Sequence, residues 1–525
     1  MRALQKRAPQ NLPARRRAGL RTGAAACLAV VILAWAGGQA RLEAAQPGTE
    51  LNGIVSVRVT SQAFDPVVPW SKNADQSLQG NALVVEGRRL LTTADLVKNS
   101  TLIEVRKQGA YPDYPARRVL VDYEANLALL EVDGAEFWDR LKPIPFAETG
   151  EITGQFVVSR WRSNGRFEQG GGEIVDYLVA PYRFGSMELP TLRGTTSMSA
   201  LGWAEAVTVN QRLVGIITSH EGQQIEATPA PILRTFLAAS RRDPYRGFAH
   251  RGFTWQRTNN PALRRKLEIA ENGPGILIRG ALAGGTGAGQ LQAGDILTRI
   301  GPYTIDPEGL IDQPQYGRVL FTVAFNETQD DTLAAEVQRG GKLRHVDLQR
   351  RRYLAEDYRV QPYQFDRQPE FEVQGGLVLQ ELSVTYLRAW GKPWSERAPA
   401  RLALEAVQSS IREQDQPPGR VVAVTKVLPD EGNLGYDDVQ NATIVAANGK
   451  PVRSLNDLRE ALKHPVDGYQ ILETLPGQGR GKLVFKAAVL EAMNRRIRER
   501  YGIPGPLPAA GVAERAPGAA APKGS

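Results

Sequence analysis

Few residues in this 525-residue chain have the chemistry to cleave a bond, and their order along the chain limits what they can do. Ser197 and Ser199 supply hydroxyl groups, yet the chain has only four histidines, and the first of them is His220. A serine hydroxyl attacks a carbonyl near neutral pH only when a positioned general base removes its proton, and imidazole is the usual base. The residues before His220 therefore lack the ordinary partner of a hydroxyl nucleophile.

The elements expected to position these residues are short strands. In residues 51–240, short apolar stretches alternate with turn residues such as Gly87 and Gly109, a pattern typical of antiparallel strands. We predict an all-β domain of two barrels here, closed by a short helix at residues 231–239. The stretches are IVSVRVT, NALVVEG, LLTTADLV, LIEVRK, NLALLEV, QFVVSRW and LVGIITS.

Two smaller units follow the predicted barrels. Residues 252–350 contain ILIRG, LQAGDILTRIG and TLAAEVQRG, and residues 370–490 contain GLVLQEL, RVVAVTKVL and an amphipathic helix. That helix is predicted from Ser454 and Asp457, which have capping-box spacing, and from leucines that share one face. The leucines are Leu455, Leu458 and Leu462.

The N-terminal residues indicate export. Residues 1–22 carry seven basic residues and no acid, and removing those charges from the net +9 leaves +2 on the rest of the chain. We therefore expect no nucleic-acid partner. The apolar stretch 23–37 predicts a secretory signal peptide within residues 1–45, with a retained membrane anchor as the alternative. Cys27, the only cysteine, lies in that stretch, and an exported body without disulfides suits a bacterial periplasm.

Several stretches carry a family resemblance. GRRLLTTADLV (87–97), NLALLEVDGAEFW (126–138) and LVGIITS (213–219) resemble barrel strands of the HtrA/Deg serine proteases. LQAGDIL (291–297) is similar to a turn of PDZ domains, and LGYDDVQNATIVAANGKPV (434–452) and NPALRRKL (260–267) resemble the Deg branch found in plants. The resemblance implies a mainly β chain: a chymotrypsin-like double β-barrel followed by two PDZ-like α+β domains. We predict the barrels at 50–242, the PDZ domains at 250–352 and 368–503, and a disordered tail at 504–525.

At the catalytic positions the chain departs from this family. Asp95 stands where the family has its histidine, and Asn126 stands where the family has the orienting aspartate. A carboxyl group with a pKa of about 4 is too weak a base to deprotonate serine or to pass the proton to the leaving amine. Counting back from the LVGIITS strand without a gap places the nucleophile at Gly202, and a small insertion would place it at Ser199 or Ser197.

The loop around these serines has also lost its glycines. Met198, Ala200 and Leu201 stand where glycines give the oxyanion-binding backbone its shape, so we predict that all three triad positions are altered. An alternative uses His220 as an unconventional base. His250, His345 and His464 are expected to do no chemistry. No residues have metal-ligand spacing and the glycine-rich stretch 284–289 lacks a P-loop lysine, so no metal or cofactor is predicted.

The predicted peptide-binding residues of the first PDZ-like unit are Arg251, Gly252, Phe253, Thr254 and Trp255. A PDZ domain adds a peptide as a strand to a sheet edge, and amides of a glycine-containing loop hold its carboxylate. In this hypothesis the two aromatic side chains frame an apolar pocket and the arginine attracts the carboxylate. In the alternative both aromatic side chains fill the core of the domain.

The second PDZ-like unit is expected to serve architecture or self-assembly. Residues 375–379 are its candidate loop, and the insertion at 385–407 is predicted to cover the groove, as a helical insertion does in the similar plant proteins. Residues 490–501 have a basic face, which is interpreted as a solvated helix face, with an anionic-lipid contact as the alternative.

These observations lead to three functional hypotheses. The first is an exported pseudoprotease that binds peptides, protein C-termini or unfolded envelope proteins, alone or as a homo-oligomer, and acts as scaffold, chaperone or regulator in envelope protein quality control. The second is a serine-type endopeptidase with a rearranged site built from Ser199 or Ser197 and His220. The third is a membrane-anchored structural protein that uses its barrels only for oligomerisation.

Overall fold

The strands of the N-terminal part close into two barrels, each of six strands. Buried valines, leucines and isoleucines on successive strands fill each barrel, as in β1, where the first four residues are all buried. The first barrel has the strand order β1-β2-β3-β6-β5-β4 and the second β10-β11-β12-β9-β8-β7. This computed structural model describes residues 50–148, 154–408, 419–478 and 481–504. The predicted signal segment with Cys27, and the tail beyond residue 504, lie outside these ranges.

Short helices connect the barrel strands, and α4 follows the last of them. The first barrel consists of β1 (Ile54–Ser61), β2 (Gln76–Val85), β3 (Arg89–Thr92), β4 (Ser100–Lys107), β5 (Asp113–Asp122) and β6 (Leu127–Val132). The second consists of β7 (Gln155–Trp161), β8 (Phe167–Pro181), β9 (Glu188–Thr196), β10 (Ala206–Val209), β11 (Arg212–Glu221) and β12 (Gln224–Pro229). The helices are α1 (Glu50–Gly53), α2 (Ala94–Val97), α3 (Ala135–Trp138) and α4 (Ala230–Ser240).

A shared core joins the two barrels. Ile54 and Leu83 of the first barrel pack in one cluster with Leu213 and Ile216 of the second and with Phe236 of α4. The predicted mainly β fold with a double barrel is therefore confirmed. Within the described ranges we find no helix with the length and apolar character needed to cross a bilayer.

The next sheet has the order β13-β14-β15-β19-β20, with β16 beside β15 and a separate β17-β18 hairpin. Its strands are β13 (Phe253–Gln256), β14 (Ile276–Ala281), β15 (Ile296–Ile300), β16 (Tyr303–Thr304), β17 (Leu310–Gln313), β18 (Gly317–Leu320), β19 (Thr332–Arg339) and β20 (Lys342–Gln349). Helix α5 (Pro261–Lys266) and the 3-10 helices Phe321–Asn326 and Ala355–Asp357 accompany it.

The last sheet has the order β21-β22-β23-β24-β26-β27, with β25 beside β24. Its strands are β21 (Phe371–Gln374), β22 (Leu377–Glu381), β23 (Val422–Val427), β24 (Thr443–Ala447), β25 (Lys450–Pro451), β26 (Tyr469–Thr474) and β27 (Lys482–Lys486). Its helices are α6 (Val384–Leu387), α7 (Trp394–Arg397), α8 (Ala400–Gln408), α9 (Leu455–Leu462) and α10 (Ala487–Tyr501), with 3-10 turns at Arg388–Trp390, Glu431–Asn433 and Asp437–Val439.

Helix α9 begins as its capping residues predict. The Ser454 side chain accepts a hydrogen bond from the backbone N–H of Asp457 at 3.0 Å, and Leu455 and Leu458 are buried. The described residues all belong to one compact unit, Pro47–Ser525. The domain boundaries themselves stay a prediction.

Candidate functional site

Asp95 and Asn126, the two predicted triad positions of the first barrel, are adjacent in the structure. Asp95 lies on α2, directly after β3, and only 1% of it is exposed. Asn126 immediately precedes β6, which pairs with β3. The Oδ1 atom of Asn126 accepts a hydrogen bond from the backbone N–H of Asp95 at 2.9 Å. Asn126 therefore holds the backbone of the base position without supplying a negative charge.

The carboxylate of Asp95 is fully engaged by donors. Lys98 forms an ion pair with its Oδ1 atom, and Nε of Arg183 lies 2.7 Å from its Oδ2 atom. The indole N–H of Trp203 donates to the same Oδ2 atom at 3.1 Å. Burial alone raises the pKa of this carboxyl, but the charges of Lys98 and Arg183 outweigh it, so the net pKa lies below its ordinary value. Asp95 is therefore ionised at neutral pH and is a poor proton acceptor there.

The loop that carries the three predicted nucleophile positions reaches Asp95 through Trp203, the residue after Gly202. The Trp203 carbonyl accepts a hydrogen bond from the backbone N–H of Asn81 of the first barrel at 2.9 Å. Ser197 directly follows β9, where its Oγ lies 3.3 Å from the carbonyl oxygen of Gly171. The choice among Gly202, Ser199 and Ser197 as the nucleophile position stays a prediction.

Two buried residues, Arg160 and Glu205, form hydrogen bonds with the backbone of the loop before Trp203. Arg160 donates hydrogen bonds to the carbonyl oxygens of Ser199 at 3.0 Å and Ala200 at 2.6 Å. The Oε1 atom of Glu205 accepts the backbone N–H of Gly202. In a serine protease the amide of the nucleophile position is one of the two that stabilise the oxyanion. At Gly202, one of the three predicted nucleophile positions, the backbone N–H already has the Glu205 side chain as its acceptor.

All four histidines lie in the described residues, and none of them contacts the Asp95 carboxylate. His220, the alternative base, lies at the exposed end of β11, where its backbone pairs with Ile225. His345 lies on β20 beside Glu336, and His464 follows α9. The structure gives His220 no hydrogen bond to Ser197 or Ser199.

A serine–histidine pair does exist elsewhere. The Oγ atom of Ser186 lies 3.2 Å from Nε2 of His250. The Nδ1 atom of His250 accepts the backbone N–H of Gly252 at 3.1 Å, so the proton of the neutral ring is on Nε2 and points to the serine. Burial, assisted by the charge of Arg251, lowers the pKa of His250 to about 3. In this tautomer the ring cannot remove a proton from Ser186, and the pair is structural.

The polar residues of the predicted peptide site already have internal partners. Arg251 forms an ion pair with Glu188 of β9 at 2.5 Å. Gly252 donates its N–H to His250 and has a φ of +73°. A Cβ atom at Gly252 would lie 2.1 Å from the backbone nitrogen of Thr286, so the close approach of the two chain segments requires glycine. The Thr254 hydroxyl donates to the carbonyl of Gly280 at 3.4 Å.

The two aromatic residues of that site differ in their burial. Phe253 is completely buried, with its ring centroid 6.1 Å from those of Phe321 and Phe325. Trp255 is partly buried and packs edge-on against Phe321 at 5.4 Å. The core interpretation therefore applies to Phe253, and Trp255 is the aromatic residue left with exposed surface.

In the second PDZ-like unit, the predicted loop begins as a tight hairpin turn between β21 and β22. Gly375 and Gly376 have φ values of +57° and +80°, and the N–H of Gly375 donates to Oδ1 of Asn494 on α10 at 2.8 Å. The insertion at 385–407 contributes α7, most of α6 and α8, and packs against the start of β23. Its covering of the groove stays a prediction.

The basic face of α10 is paired within the protein. Asp430 receives Arg496 at 2.6 Å and Arg500 at 3.5 Å. Arg498 lies 4.0 Å from Glu372, and Arg495 lies 3.4 Å from Glu491. The geometry thus favours a helix face neutralised by nearby carboxylates over a lipid contact.

Sequence reasoning missed the residues that hold Asp95 and the loop beside it. Lys98 follows Asp95 by three residues, a spacing at which opposite charges on a helix meet, so this partner had a local signal. Arg183 and Trp203 had none, because they reach Asp95 only where the second barrel packs against the first. Glu205 was missed although its partner, the N–H of Gly202, is only three residues away. Within the described ranges we find no cluster of three or more His, Cys, Asp or Glu side chains arranged to hold a metal ion.

Comparisons with known proteins agree with this architecture. A family model described as a PDZ domain matches residues 360–508. Protease Do-like 2, chloroplastic, of Arabidopsis thaliana is 24% identical over 464 residues, which is 86% of this chain and 74% of that protein. Protease Do-like 4, mitochondrial, of the same plant is 22% identical over 423 residues, covering 79% of this chain and 77% of that protein.

Among solved structures, the HtrA-type protease AlgW with a decapeptide aligns with a TM-score of 0.41 at 16% identity, over 57% of this chain and 95% of that one. The relatives and the family model together confirm the predicted resemblance to HtrA/Deg proteases and the predicted PDZ domain in the C-terminal part of the chain.

Proposed function

We propose that this chain, which is related to the Do-like (HtrA) proteases over most of its length, is a catalytically silent binding protein. One observation carries the proposal: the carboxylate at the general-base position, Asp95, is held by Lys98, Arg183 and Trp203. Proteolysis by the inherited mechanism needs a group that accepts a proton from the nucleophile and returns it to the leaving amine. A buried, paired carboxylate does neither near neutral pH.

Peptides, protein C-termini and unfolded segments are the proposed ligands. The family match to a PDZ domain supports this choice, because PDZ domains capture peptide ends at a sheet edge. In the first PDZ-like unit Arg251 forms an ion pair with the Glu188 carboxylate. The Glu188 carboxylate thus lies where the carboxylate of a bound peptide would lie. A bound C-terminus would therefore have to displace Glu188.

We place this binding in the bacterial cell envelope. The basic residues at 1–22 and the apolar stretch at 23–37 support export to the periplasm, by a signal peptide or with a retained anchor. There the protein would serve as scaffold, chaperone or regulator in protein quality control, alone or as a homo-oligomer.

The alternative is a serine-type endopeptidase with a rearranged site, which the protease names of the relatives favour. It requires Ser199 or Ser197 to find a base, with His220 as the candidate. Incubating the purified full chain with casein, beside an active Do-like protease, separates the two functions. The proposal expects no fragments and binding of a labelled apolar peptide with a free C-terminus; cleavage that is lost in the Ser199→Ala or Ser197→Ala variant would establish the alternative.

A further inference from the structure

A short segment of the chain lies over the candidate site. Residues 363–366 (Tyr-Gln-Phe-Asp) belong to the connector between β20 and β21, yet they contact the first barrel around α2 and the end of β5. The contacts join residues about 250 positions apart in sequence, so no local folding preference brings them together.

The aspartate of the segment is bound as a ligand carboxylate would be. Its Oδ1 atom accepts the backbone N–H of Asn99 at 2.7 Å and a hydrogen bond from the Arg118 guanidinium. Its Oδ2 atom accepts the hydroxyl of Tyr123. The backbone N–H of Asp366 donates in return to Oδ1 of Asn99 at 2.8 Å. Both the side chain and the backbone of this aspartate are therefore recognised.

Phe365, the residue before the aspartate, packs against aromatic rings and lies near a cationic side chain. The ring centroid of Phe365 lies 5.0 Å from those of Phe184 and Tyr123. The Lys98 ammonium lies 5.3 Å from the ring centroid of Phe184 and 5.8 Å from that of Phe365, within the range of a cation–π contact. Lys98 thus links the segment to Asp95, because the same ammonium pairs with that carboxylate.

The charges around the segment favour an anionic occupant. The carboxylates of Asp95 and Asp366 are in direct contact with three cations, Lys98, Arg118 and Arg183. A fourth cation, Arg388, is close enough for its charge to repel that of Lys98. Without Asp366, the cations outnumber Asp95 by three charges. An acidic ligand replaces this repulsion with charge-assisted hydrogen bonds.

We propose that the surface formed by Lys98, Asn99, Arg118, Tyr123 and Phe184, here called the cleft face, is a binding site for acidic peptide segments in which an aromatic residue precedes an aspartate. Residues 363–366 occupy it as an internal ligand. The inference rests on the proposed function, because it assigns a ligand class to a surface of the catalytically silent protein. A tethered occupant acts at an effective concentration of about a millimolar, so a free peptide gains access mainly when the segment is displaced.

The test uses the full chain and a fluorescein-labelled synthetic copy of residues 361–366, whose binding is followed by fluorescence anisotropy. Wild type is expected to show no binding at about 100 µM peptide. Asp366→Lys places a cation beside Arg118 and releases the segment, and its affinity for the peptide is expected to be at least about tenfold higher. Phe365→Ser combined with Asp366→Lys is expected to do the same. Arg367→Gln, which alters the next residue and its exposed ion pair with Glu356, is the matched control and is expected to behave as wild type.

Two further comparisons establish recognition. A peptide with asparagine in place of its aspartate is expected to bind the released variants at least about tenfold more weakly, since it loses the charge-assisted bonds to Arg118. In wild type, about a millimolar of the original peptide is expected to raise hydrogen exchange within residues 363–366, whether or not the variants fold. Unchanged exchange at that concentration, binding by neither variant when both are folded, or equal binding of the two peptides would each overturn the proposal.

The outcome is separable from that of the proposed function. The cleft face is proposed to recognise an aspartate inside the probe peptide. The carboxyl end of the probe is amidated, so a PDZ groove, which binds a free C-terminal carboxylate, cannot bind it. Binding of this probe together with casein cleavage would refute the silent-protein proposal and leave the acidic-peptide site standing. Absence of probe binding together with absence of cleavage would do the reverse.

Discussion

The indole nitrogen of Trp203 lies 3.1 Å from the Oδ2 atom of Asp95 and donates a hydrogen bond to it. This contact joins the loop that carries the predicted nucleophile positions to Asp95, the predicted general-base position. An indole N–H is a donor only and does not accept a proton. The contact is a hydrogen bond between the two barrels, and it supplies Asp95 with a donor rather than with a group that could accept a proton.

The ion pairs of Asp95 predict a stability effect. Asp95→Asn leaves Lys98 and Arg183 beside a neutral amide, and breaking a buried pair in this way costs about 3 kcal/mol of unfolding free energy. Because the folded-state pKa of Asp95 lies below its ordinary value, the loss should be full at pH 7 and should shrink as pH falls below about 4. Urea unfolding of both proteins measures it.

The control for this prediction is Asp176→Asn, which removes an exposed ion pair with Arg193 in the second barrel. Its effect should stay within about 0.5 kcal/mol, as for most surface pairs. Equal effects of the two substitutions would contradict the assignment of Asp95 as a buried structural anion.

Glu124 predicts a pH dependence of stability. Burial, with the nearby charge of Asp122, raises the pKa of Glu124 to about 8, so the folded protein holds a proton there that the unfolded chain releases above its ordinary pKa of 4.5. The stabilising contribution is therefore complete below pH 4.5 and is lost as pH rises to 8, by at most about 1.4 kcal/mol per pH unit. Glu124→Gln should become progressively more stable relative to wild type across this interval. A difference that does not vary with pH would contradict the raised pKa.

His250 predicts the opposite trend. Its folded-state pKa of about 3 lies below the ordinary value of 6.5, so the unfolded chain takes up the proton first as pH falls. The contribution to stability is complete above pH 6.5 and is lost as pH falls toward 3, by up to about 1.4 kcal/mol per unit. His250→Gln should lower the free energy of unfolding at pH 7.5, and the difference from wild type should become smaller as the pH falls. Urea unfolding at several pH values measures this difference. His345→Gln, at a side chain that is 77% exposed, is the control, and at pH 7.5 its effect on the free energy of unfolding should stay within about 0.5 kcal/mol.

The Arg251–Glu188 pair predicts how peptide binding responds to mutation. Glu188→Gln frees the guanidinium from its internal carboxylate, so affinity for a peptide with a free C-terminus should rise about threefold to tenfold. The amidated peptide should not gain. Glu173→Gln, an exposed position on β8, is the control and should leave both affinities unchanged. Calorimetric titration measures these values, and an equal gain for the amidated peptide would contradict the competition.

The fold was predictable because its information is local. Period-two apolar patterns and turn residues predicted the strands, and Ser454 with Asp457 predicted the start of α9. The adjacency of Asp95 and Asn126 followed from the family resemblance, since Asp95 follows β3, Asn126 precedes β6, and these two strands pair in the barrel.

The contacts that decide the chemistry were not predictable in the same way. Trp203 reaches Asp95 across 108 positions, and Asp366 reaches Asn99 across 267, so each depends on how separately formed units pack. Phe253 illustrates the same limit: its sequence position fits a peptide pocket and a core equally well, and only the packing of Phe321 and Phe325 decides for the core.

The most direct test of the proposal that the protein is catalytically silent is covalent labelling by a fluorophosphonate, detected by mass spectrometry of the intact protein. Wild type should gain no mass under conditions that fully label an active Do-like protease. Gly202→Ser should also remain unlabelled, because Asp95 stays bound to Lys98, Arg183 and Trp203 and cannot activate the new hydroxyl. An adduct mapped to Ser197 or Ser199 of the wild-type protein would contradict the account.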